Sequence, residues 1–331
     1  MGLPLVSLTS ACSNGSDTTE PVDPGAPSAE GDTFPVTIDT ALGEVTITAK
    51  PERVVRLGWG SQDVALALGV IPVGMQDMTG NTGDDTGILP WDTPLLNGET
   101  PELIPSSSQE IPLEQIASLA PDVILAVNSG LTDDQYAELT KIAPTVAYPD
   151  KPWLTSMQDQ TEMVGKALGL SAEATALLEQ TDELVAQAKA DHPEFDGKTI
   201  AFGSGTTTDT YNVYLQSDSR VTLLESFGFT ISPSLPTEAP SFAAQISLEE
   251  LDTIDSDVLV AWYLSEEVQQ KLETSPLFDS IPAVKAKGYV PLTDPAMVYA
   301  TSSVTVLSLP WMLERYLPLL SAAANGESPL E

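Results

Sequence analysis

The chain has 331 residues, of which 48 are acidic and 13 are basic, and its formal net charge is −35. Such an acidic surface repels nucleic acids and anionic lipid headgroups, which excludes both as favoured partners. Hydrophobic residues make up 42% of the chain, enough for the cores of two domains, and a single cysteine excludes an internal disulfide and any multi-cysteine metal site.

The N-terminal residues MGLPLVSLTSAC form a short apolar stretch that ends in small residues before Cys12. This stretch resembles the end of a bacterial lipoprotein signal, in which the cysteine is lipidated and becomes the new N-terminus. Residues 13–33 are rich in Ser, Gly, Pro, Asp and Glu and cannot bury enough apolar surface to fold. We therefore expect a signal remnant over 1–12 and a flexible tether over 13–33, which together hold the protein at the outer face of the cell membrane.

Residues 34–169 alternate strand-like and helix-like segments. RVVRLGWG (53–60) predicts a strand stopped by glycines, and SQDVALALG (61–69) predicts a helix that ends on a glycine. Residues 78–111 are rich in Gly, Pro, Asp, Thr and Ser and predict a long surface loop that carries Trp91. Strand–helix alternation of this kind predicts an α/β lobe with a parallel sheet.

A long helix is predicted over 170–192, with no flexible linker beside it, so we expect a stiff connection and a small opening motion. The alternation restarts with KTIAFGSG, which predicts a second α/β lobe over 193–322 and a tail over 323–331. Its last helix, 303–320, contains Pro310 and is expected to be kinked or broken there. The predicted fold is two Rossmann-like α/β lobes joined by a single long helix, with a ligand cleft between the lobes.

The two halves of the chain share a repeated pattern. Residues 113–126 read LEQIASLAPDVILA, and residues 248–261 read LEELDTIDSDVLVA. Each copy predicts a helix followed by a continuous apolar run, as expected of a buried parallel strand. The period is too long for a solenoid, whose units recur every ~20–50 residues. The repeat therefore indicates two domains built on one plan.

Catalytic motifs are missing from the sequence. It contains one histidine, His192, and neither a P-loop nor a G-x-G-x-x-G between a strand and a helix. A zinc or manganese site built on several histidines is excluded by counting. We therefore expect a binding protein rather than an enzyme.

One family matches the order of these segments. GEVTITAKPERVVRLGWGSQDVALALGVIPVGM, then IPLEQIASLAPDVILAVNSGL and ISLEELDTIDSDVLVAW, resemble the substrate-binding protein of an iron–siderophore ABC transporter, over about residues 36–320. The resemblance implies an extracytoplasmic monomer that captures a ferric siderophore and delivers it to an import permease. It also implies that no bond is made or broken and that no cofactor is needed.

The same resemblance gives a role to two glutamates of the repeat. In the family, a glutamate at the start of this helix in each lobe docks onto arginines of the permease subunits, and the matching residues are Glu114 and Glu249. If Ser247 is an N-cap, its capping-box partner is Glu250, so capping does not require Glu249. For Glu114, helix stability is not separated from docking in this way, because the helix dipole alone favours an acidic residue at its position.

Ligands of open α/β sheets bind beyond the carboxyl ends of the strands. Aromatic walls with a few polar groups suit the bulky organic shell around Fe(III), whose coordination the chelator already saturates, so we expect no metal ligand from the protein. The candidate ligand-binding residues are Trp59, Gly60, Ser61, Trp91, Asn128, Arg220, Trp262, Tyr263 and Tyr299.

The charge of the cleft favours one ligand class and leaves rivals open. Arg220 is the one arginine whose position suits the cleft. Because a single arginine among 48 acidic residues is a poor match for a strongly anionic complex, a neutral or cationic ferric hydroxamate is favoured over a ferric catecholate. Proteins of this architecture also bind haem or vitamin B12, and Tyr211, Tyr263 or Tyr299 would be the axial ligand of a haem. A secreted hydrolase is the alternative from another class, although a Ser–His pair is missing.

Overall fold

The computed structural model describes residues 32–105 and 110–329. Cys12, the predicted signal remnant and all but the last two residues of the predicted tether lie outside this part of the chain. Asp32, one of those two residues, is held at the start of the connecting helix, where its Oδ2 accepts the backbone N–H of Ser171 at 3.3 Å.

The N-terminal lobe is built on a parallel sheet, as predicted. An antiparallel hairpin, β1 (Val36–Thr40) and β2 (Gly43–Ile47), packs its buried alternate residues on one side of the core. The sheet strands are β3 (Val54–Arg56), β4 (Gly74–Gln76), β5 (Glu102–Ile104), β6 (Val123–Leu125) and β7 (Thr145–Val146). The helices are α1 (Ser61–Ala67), α2 (Thr79–Thr82), α3 (Leu113–Ser118), α4 (Asp133–Leu139) and α5 (Met157–Leu168). The strand order is β5-β4-β3-β6-β7.

Helix α6 (Ser171–Asp191) joins this lobe to the second one. The second sheet contains β8 (Thr199–Gly205), β9 (Thr210–Tyr214), β10 (Thr230–Ile231), β11 (Ala243–Ser247), β12 (Val258–Tyr263) and β13 (Tyr289–Leu292). Its helices are α7 (Ser219–Ser226), α8 (Glu266–Glu273), α9 (Pro282–Lys285), α10 (Pro295–Ser302) and α11 (Ser308–Ala324). The order is β11-β9-β8-β12-β13, with β10 beside β8. The predicted fold class, two α/β lobes joined by one long helix, is confirmed.

The second sheet is not wholly parallel, which the sequence analysis missed. Strand β9 runs antiparallel to both β8 and β11. The four residues 206–209, TTTD, turn the chain directly from β8 into β9, and a connection this short returns a strand antiparallel to its neighbour.

The repeated helix–strand unit has the same place in both sheets. Strand β6 lies beside β3, and β12 lies beside β8, so each repeat strand pairs with the first strand of its sheet. The aspartate that both copies share accounts for part of the repeat. Asp122 accepts the backbone N–H groups of Glu52 (2.6 Å) and Arg53 (3.0 Å), and Asp257 accepts that of Thr199 (2.8 Å). Each aspartate thus fixes the start of the neighbouring central strand.

Two predictions near the C-terminus are wrong. The helix predicted over 303–320 begins five residues later, as α11 at Ser308, and it is not broken at Pro310, which lies in its first turn, where no backbone N–H is needed. The predicted tail begins two residues too early, because Ala323 and Ala324 are buried and end α11.

The predicted surface loop carrying Trp91 is in fact largely a bridge between the lobes. We call residues 77–98, which include α2, the interlobe strap. Met78, Leu89 and Trp91 are buried in the core cluster of the second lobe although they belong to the first half of the chain. Gly83 of the strap lies beside Pro295 at the start of α10. The lobes are therefore joined by the strap as well as by α6, and this arrangement supports a small opening motion.

Gly58, just after β3, provides a test of how closely the strand ends pack. Its φ of +79° is left-handed, and an added Cβ would run into the backbone carbonyl of Asn128. We expect Gly58→Ala to lower the free energy of unfolding by about 2–4 kcal/mol, from backbone strain plus overpacking. Gly69→Ala is the matched control, because Gly69 has a φ of +76° but open space around it, and we expect it to lose only about 1–2 kcal/mol from the left-handed backbone. Urea denaturation followed by circular dichroism measures both, and equal losses would contradict the packing argument.

Candidate ligand cleft

A cavity of about 250 Å³ lies at the carboxyl edge of the N-terminal sheet. Strands β4 and β5 contribute one residue each, and the segments that follow β3, β6 and β7 supply others, as expected for a site at the carboxyl edge of an open α/β sheet. Its lining residues are Leu57, Gly58 and Trp59 after β3, Gln76 on β4, Ile104 and Pro105 at β5, Ser129, Gly130 and Leu131 after β6, and Trp153 after β7, with Ile111, Pro112 and Gln135 from around α3 and α4. None of these described lining residues carries a charge.

Trp59 is held firmly on this wall. Its backbone N–H donates to the carbonyl of Asn128 at 2.9 Å, and its own carbonyl accepts Nε2 of Gln160 at 2.6 Å. Its ring meets the ring of Trp153 at a centroid distance of 5.7 Å and the ring of Tyr299 at 5.2 Å. Trp59 is thus fixed from the backbone on one side and by aromatic packing on the other.

Trp153 is the second aromatic residue of the wall, and it is 45% exposed. Its φ of +62° is left-handed, a conformation that costs a bulky residue ~1–2 kcal/mol and persists only where the surroundings impose it. The backbone N–H of Trp153 donates to the carbonyl of Ser129 at 3.1 Å, and its indole lies over Gly130, where a Cβ would collide with Nε1. A strained, exposed aromatic residue at a cavity mouth is the kind of feature that marks a binding site.

A second group of side chains lies in the C-terminal lobe, around Arg220. The guanidinium lies over the ring of Tyr214 (4.7 Å) and near that of Phe242 (5.7 Å), which is 57% exposed. Trp262 Nε1 donates to the Tyr214 hydroxyl at 3.0 Å. Asp218 pairs with Arg220 at 3.0 Å and balances its charge. The group therefore presents aromatic faces and a partly neutralised cation.

Helix α10 connects the two groups. Ser302 near its end accepts Arg220 Nε at 3.2 Å, and Tyr299, less than one turn earlier, contacts Trp59. The Arg220 group of the C-terminal lobe and Trp59 of the N-terminal lobe therefore both contact α10.

The other candidate residues lie behind or beside the cavity. Gly60 and Ser61 start α1 at the lobe junction, and Asn128 serves the wall through its backbone. Trp91 and Tyr299 are buried, and their rings stack at 6.1 Å behind Trp59, so they support the wall rather than face a ligand.

Tyr263 points away from the Arg220 group, because it follows Trp262 on a strand and successive side chains alternate. Its hydroxyl shares a hydrogen bond of 2.6 Å with that of Tyr289. Burial raises the pKa of Tyr263, Tyr211 and Tyr299 above the ordinary range of tyrosine, so all three stay protonated at neutral pH. His192 stacks on Phe195 at the end of α6 and is not among the residues that line the cavity.

Among the described residues, Trp59 is the one candidate residue of the sequence analysis that lines this cavity, and the lining residues that it missed include Gln76, Gln135 and Trp153. Gln76 Oε1 accepts the N–H of Gly58 at 2.7 Å and so braces the turn that carries Trp59. The signal for Gln76 was its place at the end of a short apolar strand, where the carboxyl-edge rule applies to it as it does to Trp59.

The glutamates of the repeat occupy equivalent positions in the two lobes. Glu114 lies in the first turn of α3, and Glu249 in the first turn of the 3-10 helix Leu248–Thr253, and both are exposed. Each helix runs antiparallel to the strand that follows it, so both carboxylates lie at the carboxyl edges of the sheets. Glu250 accepts the N–H of Ser247 at 3.1 Å, which confirms that capping uses Glu250 and leaves Glu249 free.

A sequence model of the family described as periplasmic binding protein matches residues 54–296, about three quarters of the chain. The chain belongs to this family. A solved structure of PiaA from Streptococcus pneumoniae TIGR4 in complex with ferrichrome is 32% identical to it, covers 88% of this chain and 99% of that chain, and has a TM-score of 0.75. The predicted binding function, without an enzymatic activity, is confirmed by this membership.

Two curated relatives agree with the assignment. The Fe(3+) dicitrate-binding periplasmic protein FecB of Escherichia coli (strain K12) is 28% identical over 255 residues, which cover 76% of this chain and 80% of FecB. YhfQ of Bacillus subtilis (strain 168), named as a substrate-binding lipoprotein of an ABC transporter, is 26% identical over 302 residues, 88% of this chain and 87% of YhfQ. Within residues 32–105 and 110–329, no helix is long and apolar enough to cross a membrane.

Proposed function

We propose that this protein captures a ferric siderophore in the cleft between its lobes and delivers it to the permease of an ABC importer. The observation that carries the proposal is the uncharged, tryptophan-bearing cavity at the carboxyl edge of the N-terminal sheet. It would hold one side of the chelate, and the Arg220 group of the other lobe would complete the site. The name of PiaA in its ferrichrome complex and that of FecB support an iron chelate as the ligand.

The charge of the two groups favours a ferric trihydroxamate. Three hydroxamates, each with one negative charge, balance Fe(III), so the core of the complex is neutral, whereas a ferric triscatecholate is strongly anionic. An anionic complex needs cationic partners, but the described lining of the N-terminal wall is uncharged and Asp218 already pairs with Arg220. Aromatic faces and amide groups such as Gln76 and Gln135 suit a neutral ligand.

The tyrosines argue against haem as the ligand. The phenolate that ligates a haem iron must be accessible to the haem and deprotonated. Tyr211 and Tyr299 are buried, however, and the hydroxyl of Tyr263 is hydrogen-bonded to that of Tyr289. Burial raises the pKa of all three, which opposes deprotonation.

Attachment and delivery complete the proposal. Lipidation of Cys12 and a tether over 13–33 would hold the folded lobes, 34–169 and 193–322, at the outer face of the membrane, and the lipoprotein name of YhfQ supports this. Glu114 and Glu249 would dock on the permease. The protein would act as a monomer, because the pair uses one glutamate from each lobe of a single chain.

A titration of the protein with five probes tests the ligand class. The probes are ferrichrome, ferric Desferal, a ferric triscatecholate, haemin and cyanocobalamin, measured by calorimetry and by tryptophan fluorescence with inner-filter controls. We expect sub-micromolar binding of a ferric trihydroxamate and at least tenfold weaker binding of the triscatecholate. Binding of haemin or cyanocobalamin alone would replace the siderophore assignment, and flat titrations with all five would overturn it.

A further inference from the structure

Asp63 of α1 is a fully buried carboxylate at the junction of the lobes. Its Oδ2 accepts the hydroxyl of Thr305 at 2.5 Å and Nε1 of Trp91 at 2.7 Å. Thr305 precedes α11 in the second lobe, and Trp91 belongs to the interlobe strap. The Thr305 oxygen also accepts the N–H of Ser308 at 3.0 Å, which orients the threonine hydroxyl toward Asp63. One oxygen atom thus joins three separate parts of the chain.

An uninterrupted series of ring contacts leads from Asp63 to the cavity. Trp91, whose N–H binds Asp63, stacks on Tyr299 with an interplanar angle of 16° and a centroid distance of 6.1 Å. Tyr299 meets the ring of Trp59 edge-on at 5.2 Å, and Trp59 lines the cavity. Because Trp91 and Tyr299 are buried on all sides, neither ring is free to move without shifting Trp59 or losing packing.

We propose that Asp63 is a positioning residue for the ligand: as a carboxylate it holds Trp91 and Thr305, and through Tyr299 it fixes Trp59 against the siderophore. This inference rests on the proposed function, because it takes Trp59 as part of the ligand site. Asp63 contacts no ligand itself. Its role is to tie the orientation of the binding wall to the contact between the lobes.

Ionisation of Asp63 should then control affinity. The charged and titratable groups around it are Arg56 of β3, Asp92 of the strap and Tyr299 of α10, all buried. Burial raises the pKa of Asp63 to about 6 and that of Asp92 well above its ordinary value, and it lowers the pKa of Arg56 to about 9. Above pH 6 the Asp63 carboxylate is ionised and accepts charge-assisted hydrogen bonds. Below pH 6 it is protonated, those bonds weaken about twofold in strength, and affinity should fall.

The test compares affinity for ferrichrome between pH 5 and 8 in the wild type and three variants of the full chain, over the range where the chelate spectrum is unchanged. We expect the wild-type affinity to fall about fivefold to tenfold below a midpoint near pH 6. Asp63→Asn should be weak at every pH and show no midpoint. Trp91→Phe keeps an aromatic ring but removes the indole N–H donor, and it should give a smaller loss. Asp85→Asn, an exposed aspartate of the same strap, is the matched control and should behave as wild type.

Near-ultraviolet circular dichroism of the ligand-free protein separates this inference from the proposed function. The tryptophan signal of the wild type should change with a midpoint near pH 6, and that change should be absent in Asp63→Asn. If none of the five titration probes binds, but the wild type shows this pH-dependent change and Asp63→Asn does not, the positioning of the tryptophans by Asp63 stands and the ligand assignment fails. If Asp63→Asn keeps both the wild-type affinity and the wild-type pH profile, the positioning role is wrong.

Discussion

Replacement of Trp59 by alanine is expected to weaken binding of the ferric trihydroxamate by roughly 30- to 1,000-fold, equivalent to about 2–4 kcal/mol. The loss should be large because Trp59 is held by two backbone hydrogen bonds and packed between Trp153 and Tyr299, so its ring is already in place before the ligand arrives. A pre-organised aromatic surface loses little conformational entropy on binding.

Calorimetry is the appropriate measurement, because the substitution also removes a fluorescent reporter. Trp59→Phe retains a ring on the wall and should lose less than tenfold, which separates the aromatic contact from a general disturbance. Trp311→Phe is the matched control, since Trp311 packs on Trp91 at 5.0 Å but does not line the cavity. Wild-type affinity in Trp59→Ala would remove Trp59 from the site, and an equal loss in Trp311→Phe would attribute the effect to the aromatic cluster as a whole.

The parts of the fold that depend on local pattern could be predicted from the sequence. The pattern that predicts the apolar run VILAV (123–127) or the long helix α6 is contained in consecutive residues. The repeat likewise indicated that the two lobes share one architecture. The burial of Leu89 and Trp91 could not be predicted in this way. Their segment is dominated by turn-forming residues, and only the surface of the other lobe makes those two side chains part of a core.

The candidate site shows the same division. The carboxyl-edge rule depends on topology alone, so it led to Trp59. It did not lead to Trp153, because Trp153 lies seven residues beyond the end of β7, in a segment that only the folded structure brings back to this edge. The pattern also could not reveal Asp63 as a buried group, since an aspartate in the first turn of a predicted helix is ordinarily exposed and favoured by the helix dipole.

Simultaneous replacement of Glu114 and Glu249 by alanine is expected to reduce uptake of the ferric trihydroxamate at least tenfold while leaving its affinity unchanged. Both side chains are exposed, lie at the carboxyl edge of their lobe and, within the described residues, make no hydrogen bond or ion pair. Their removal therefore costs the fold little, whereas each would lose a charged contact with the permease. Uptake of radioactive iron by cells that depend on this protein measures delivery, and calorimetry of the purified variant measures binding.

A double variant with the same loss of charge provides the control. Glu173 and Glu267 are also exposed and lie in the first turns of α6 and α8, so Glu173→Ala/Glu267→Ala removes two charges from equivalent helix positions outside the repeat. If both double variants reduced uptake equally, the acidic surface as a whole would attract the permease. If only the repeat pair does so, the shared glutamates of the two lobes form a two-point contact, which explains why each lobe presents its own copy at the same edge of its sheet.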